Sequence, residues 1–314
     1  MTIYAERMSF INNTEIANSR NTGEVGKAAS LNQDNINKLV TEALAIEAEE
    51  AREAGALGFM ARALTQATMP HRNVEGTEFT RTNGTFTLSM LSPSQVGLPY
   101  GTIPRLLVAW LTTEAVRTKE STLILGPSLS SFMSELDLVP TGGRWGSITR
   151  LREQSKRLFS CSVSCTFEDD DRFANAGYRI ARKADLWWNP KSPEQATLWR
   201  STVELSQDFF DEVTTNPVPI DLRALKALKR SPLTLDIYVW LTYRMSYLRR
   251  DTVIPWVALE TQFGSDYALT RQFKASFLKQ LRKVRLVYQD VKISPTETGL
   301  KLSPSKTHIP RISK

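Results

Sequence analysis

At 314 residues, with 41% hydrophobic and 9% aromatic side chains, the chain is too long for one small domain and too apolar to be disordered throughout. Forty Lys and Arg against 33 Asp and Glu leave a net charge of +7, which suits an acidic partner, nucleic acid first among candidates. Two cysteines and two distant histidines do not make a zinc module, and the longest apolar run, residues 106–111, is too short to span a bilayer.

The first 31 residues are polar and aperiodic and read as a mobile tail. The opening Met-Thr-Ile-Tyr-Ala-Glu-Arg lacks the regions of a signal peptide, so the expected location is the cytoplasm, with no membrane partner. Residues 34–66 follow a helical period through Ile36, Leu39, Val40, Ala43, Leu44 and Leu57, with Gly55 and Gly58 as bending points. Two short alternating runs, 78–81 and 85–91, flank Asn83-Gly84, a strong hairpin signal. Pro104 opens a helix carrying Leu106, Leu107, Trp110 and Val116. Further helices are predicted over 128–136 and 144–160. A ribbon then joins 162–167 to 177–187 through the acidic tip 168–171, and Cys161 and Cys165 are expected on one strand face as reduced thiols.

The order then repeats. Residues 202–205 read as a strand and 221–228 as a helix; Ser231-Pro232 caps and opens another helix. A short helix over 255–262, a long one over 270–287, and strands at 288–293 and 300–302 complete it. The expected fold is α+β: two tandem winged-helix-type DNA-binding domains, 32–195 and 196–314, behind a flexible tail of residues 1–31. The first is expected to contact the DNA backbone and the second to carry recognition.

Two helices carry the functional argument. In the first, Ile148, Leu151, Leu158 and Phe159 share one face, and Thr149, Arg150 and Arg157 lie opposite, with Glu153 among them. In the second, Phe273, Phe277, Leu281 and Val284 form the apolar stripe. Gln272, Ala275, Ser276, Lys279, Arg282 and Lys283 lie across from it, and no acidic residue occurs between Arg271 and Arg285. A solvated helix ordinarily mixes Glu with Lys; this one gathers positive charge and offers Gln, Lys and Arg, which read base edges in a major groove. Those nine residues are the expected DNA-binding set. No catalysis, cofactor or metal is expected. Gly23-Glu24-Val25-Gly26-Lys27-Ala28 has the wrong spacing for a phosphate loop, and two lone histidines make no nicking centre.

Long strings point further: Leu57-Gly58-Phe59-Met60-Ala61-Arg62, Gln66-Ala67-Thr68-Met69-Pro70-His71 and Asn83-Gly84-Thr85-Phe86-Thr87-Leu88-Ser89. Gly97-Leu98-Pro99-Tyr100-Gly101-Thr102-Ile103-Pro104-Arg105-Leu106-Leu107 and Pro140-Thr141-Gly142-Gly143-Arg144-Trp145-Gly146 are the most specific. In these the chain resembles the plasmid-encoded RepA replication initiators, from about residue 58 to about 305. The resemblance implies binding to directly repeated origin sequences (iterons), opening of the origin, recruitment of host replication-initiation and helicase proteins, copy control, and a homodimer formed through the first domain. A plasmid transcriptional repressor using the same helices on an operator is the competing reading. The 97–105 string itself reads as glycines and prolines shaping a loop before a helix.

Overall fold

A computed structural model describes residues 25–188, 192–194, 201–264, 267 and 269–310. The architecture is mixed α+β. Helix α1 spans Val25–Ala48, followed by strand β1 (Leu57–Met60) and the short α2 (Arg62–Gln66). Strands β2 (Glu78–Asn83) and β3 (Phe86–Leu91) pair so that Asn83 faces Phe86, and Gly84 sits at φ +60 in the first loop position, as a tight hairpin turn needs.

Next come α3 (Thr102–Thr118), β4 (Thr122–Ile124), α4 (Leu129–Glu135), α5 (Ser147–Ser160), β5 (Ser162–Glu168), β6 (Phe173–Arg179), β7 (Ala181–Asp185) and β8 (Thr202–Leu205). Then follow α6 (Gln207–Thr215), β9 (Val218–Asp221), α7 (Leu222–Leu228), α8 (Pro232–Tyr247), β10 (Thr252–Pro255), α9 (Trp256–Phe263), α10 (Thr270–Val287), β11 (Lys292–Pro295) and β12 (Gly299–Ser303). The capping chemistry is where the sequence puts it. Ser128, Ser206 and Ser231 each accept the amide hydrogen of the residue three positions on, and Asp221 accepts from Arg223 and Ala224. Each such cap contributes on the order of 1 kcal/mol.

One order of elements occurs twice. Helix, strand, helix, helix, strand, strand describes α3-β4-α4-α5-β7-β8 and again α8-β10-α9-α10-β11-β12. The sheets agree as well: the orders are β4-β8-β7 and β10-β12-β11, so in each the last strand lies in the middle. The first set carries an insertion between α5 and β7. Its hairpin β5–β6 joins β2–β3 in a separate antiparallel sheet of order β2-β3-β5-β6.

Four sequence expectations change here. The expected tail loses residues 25–31 to α1, where Lys27, Ala28, Ala29 and Leu31 favour helix despite Gly26; residues 1–24 lie outside the described residues. The helix expected over 34–66 ends at Ala48, and Leu57–Met60 is instead a strand. The ribbon expected from 162–167 and 177–187 is two structures. Ile180, fully buried, breaks the second arm, and β7 leaves for β8. Cys161 caps α5 rather than sharing a strand with Cys165; both are free thiols, pushed up to about 12 by burial.

The two sets share one core. Strand β1 pairs antiparallel with β9, Leu57 opposite Asp221 and Met60 opposite Val218. Helix α1 packs on α7 and α10 through Leu39, Val40, Ala43 and Ile46. The expected boundary at 195/196 is crossed by β8, which pairs with β4 and β7, and by α6, which packs on α3.

A buried ionic clasp also joins them. Arg105 of α3, 2% exposed, donates from Nε and Nη2 to the two carboxylate oxygens of Asp236 on α8, at 2.7 and 2.8 Å. Its remaining donors reach the carbonyls of Met69, Pro70 and Gly101. His71 Nε2 lies 2.7 Å from Asp236 Oδ2. Burial alone would push Asp236 up, but the Arg105 guanidinium and the His71 bond hold its carboxyl below the usual range. Among the described residues, no helix is long and apolar enough to cross a membrane.

Candidate nucleic-acid interface

Helix α10 is fixed from behind by aromatic packing. Phe273 and Phe277 are fully buried, with ring centroids 5.5 Å apart; Phe277 meets Phe263 of α9 at 5.6 Å, and Phe263 meets Trp240 of α8 at 5.2 Å. Leu281 and Val284 continue the stripe into the core. With 3.6 residues per turn, this places Gln272, Ala275, Lys279 and Arg282 along one outer ridge, and all four are exposed. Arg271 is exposed at the helix start. Among the described residues, neither Lys279 nor Arg282 has a carboxylate within salt-bridge distance. The ridge is cationic without internal neutralisation.

The rest of the expected set on this helix sits differently. Ser276 is half-buried and accepts a hydrogen bond from the Tyr267 hydroxyl at 2.8 Å, so its oxygen is partly committed. Lys283 is half-buried too. Burial, with the Lys279 and Arg230 cations close by, holds its ammonium below the usual lysine value. Arg230, exposed just ahead of the Ser231 cap, was missed in the sequence. Thr234 of the same turn donates to Gln280 of α10 at 2.8 Å, which brings α8's start alongside Lys279 and Lys283. The visible signal was a basic Lys229-Arg230 pair preceding a helix cap. Lys274 is spent internally: its ammonium lies 4.7 Å over the Trp256 ring and donates to the carbonyls of Thr296 and Glu297 in the β11–β12 loop, tying that loop to the helix.

On α5 the structure brings Thr149 and Arg150 to the surface, with Arg152 and Lys156 beside them. The Thr149 hydroxyl donates to the Gly143 carbonyl at 2.8 Å, steadying the turn ahead of the helix. Arg157 departs from the sequence expectation. Its side chain is only 17% exposed; it pairs with Glu153 at 2.8 Å, donates to Asn73 and the Leu98 carbonyl, and lies 5.2 Å from the Tyr100 ring centroid. Gln154 adds an acceptor for the Tyr100 amide at 2.8 Å. Arg157 thus fastens the 97–101 loop to α5 and is a packing residue. Helical phase shows which way a side chain leaves the helix, not what distant segment waits there.

The arrangement suits a polyanion. Two helices, each third in its repeated set, turn cations outward, and α10 adds small and amide side chains that admit close approach. Among the described residues, no three His, Cys, Asp or Glu side chains cluster as a metal site would require. Both histidines are occupied inside the fold, His71 with Asp236 and His308 with the Tyr238 hydroxyl at 2.8 Å.

Comparison with known proteins gives a family match and likenesses to solved structures. The family described as plasmid encoded RepA protein matches residues 98–257. A crystal structure of the selenomethionine derivatives of domains 2 and 3 of RctB is 12% identical, covers 79% of this chain and 98% of its own, and superposes with a TM-score of 0.49. A second crystal structure of RctB domains 2–3 is 14% identical, with coverages of 76% and 94% and a TM-score of 0.47. None of the curated proteins searched matches.

Proposed function

The chain belongs to the plasmid-encoded RepA family, whose match spans just over half of it, and on that premise we propose that it initiates plasmid replication by binding directly repeated sequences in its origin. The observation that carries this reading is the acid-free outer ridge of α10. Gln272 suits an adenine edge and Arg282 a guanine edge; Ala275 allows the helix close to the bases; Lys279, Lys283 and Arg230 serve phosphates. The repeated element order and the matching sheet orders support reading both sets as winged helices, with α5 and α10 as the groove-facing helices and β7–β8 and β11–β12 as the wings. On this reading α5 contributes Thr149 and Arg150 to a second stretch of backbone. The protein opens the origin and recruits host replication proteins as a non-catalytic, cytoplasmic DNA-binding protein, and pairs as a homodimer through the first set.

Titration of the purified chain on origin and random duplex DNA, at several salt concentrations, tests it. Specific binding should fall steeply with salt as several phosphate contacts are lost. Arg282→Ala should lose about 1–3 kcal/mol on the origin and much less on random DNA. Equal affinity for both DNAs would sink the proposal. Specific binding without origin-dependent replication in cells would instead favour an operator-binding repressor.

A further inference from the structure

The turn between α4 and α5 holds its shape without one of its largest side chains. Thr141 and Ser147 close it reciprocally: each backbone amide donates to the other's hydroxyl at 2.9 Å. The Ser147 hydroxyl donates in turn to the Val139 carbonyl at 2.6 Å, and Gly146 N–H donates to the Gly143 carbonyl at 3.1 Å. Gly143 adopts φ +85, and a side chain on Gly146 would sit 2.2 Å from the Thr141 carbonyl oxygen. None of these constraints involves the Trp145 side chain, which is 79% exposed, the highest value among the large hydrophobics described. The Arg144 guanidinium lies 5.0 Å from the indole centroid. Arg150 is exposed one turn into α5.

A rigid turn that presents a flat aromatic, backed by a cation and flanked by another, fits a particular ligand. Base faces are flat and apolar and come with a phosphate on either side. In duplex DNA those faces are hidden by stacking; only unpaired bases expose them. A greasy protein pocket is a poorer match, because seating the indole there would strip water from Arg144.

We propose that Trp145, backed by Arg144, stacks on an unpaired base of single-stranded DNA, with Arg150 against a neighbouring phosphate. The proposal rests on the DNA-binding reading but concerns a different form of DNA and residues outside the α10 ridge, sharing only Arg150 with the duplex reading.

Fluorescence-polarisation titrations of the full chain, of Trp145→Ala and of Trp145→Phe, against each single strand of the origin and against the origin duplex, test this. Trp145→Ala should bind single strands about 5- to 150-fold more weakly, the range for losing one base–aromatic stack. Its duplex affinity and its melting temperature should match the unmodified chain, as expected of an exposed site. Trp145→Phe should keep most of the single-strand affinity. A full chain that binds duplex but no single strand would overturn the proposal while leaving the duplex reading intact. So would equal losses on both forms of DNA. Unchanged affinity for both would overturn it as well.

Discussion

Arg105→Ala should be the most damaging single substitution in the interior. The change removes a guanidinium whose five donors are all engaged. It strands the Asp236 carboxylate, 8% exposed, with only His71 beside it, and takes a donor from the Met69, Pro70 and Gly101 carbonyls, of which Pro70 keeps the Gly101 amide. Removing one member of a buried ion pair costs on the order of 3–5 kcal/mol, because the remaining charge keeps its desolvation penalty. Against the roughly 5–15 kcal/mol that holds a typical domain together, this threatens folding at growth temperature. The clasp also links α3 to α8, so its loss should uncouple the two repeated sets. Urea titrations followed by tryptophan fluorescence and by far-UV circular dichroism should show one transition for the parent chain and two non-coincident transitions for the variant. Arg105→Met combined with Asp236→Leu replaces the pair with apolar groups and should recover most of the loss. A single variant within about 1 kcal/mol of the parent, or a double variant no better than the single, would refute the view that the pair is held together by mutual need.

Acidification should weaken the fold early. Burial lowers both His71 and His308 below the ordinary 6.5. Their neutral forms therefore contribute stability that is complete above pH 6.5 and lost as pH falls through the folded values, so urea midpoints should drop between pH 7.5 and 5. A flat profile would contradict the burial argument. Arg157→Ala should cost roughly 1–3 kcal/mol of stability through its bonds to Glu153, Asn73 and Leu98, yet leave DNA affinity per folded molecule unchanged; calorimetry and gel shifts together decide between packing and binding. Gly97→Ala forces φ +78 on a residue with a side chain and brings its Cβ to 3.2 Å from the Arg157 guanidinium, so a loss of about 1–2 kcal/mol is expected by thermal melting.

What was legible in the sequence was local. Ser231-Pro232, Asn83-Gly84 and the Phe273–Phe277–Leu281–Val284 stripe depend on neighbours within a few residues, and they appear where those neighbours require. What stayed hidden depends on distant partners. Leu57–Met60 reads as part of a helix because four apolar residues have no period of their own; it is a strand because β9 lies beside it. There Gly58 has room only for hydrogen, since a Cβ would meet Leu222 at 2.4 Å. The ridge of Gln272, Ala275, Lys279 and Arg282 followed from phase alone. Arg157 did not, because its partners Asn73 and Leu98 come from a loop far away in the chain.

The packing of α1 on α10 sets a timetable for synthesis. About 240 residues separate the end of α1 from the end of α10. At roughly 5–20 residues per second, a ribosome takes about 12–48 s to make them. For most of that interval the Leu39–Val40–Ala43 stripe lacks its permanent cover, since α7 is made only in the last quarter of it and α10 at its end. Nascent chains should therefore be cut first at α1 when synthesis stalls, and should depend on holding chaperones that cover its apolar stripe.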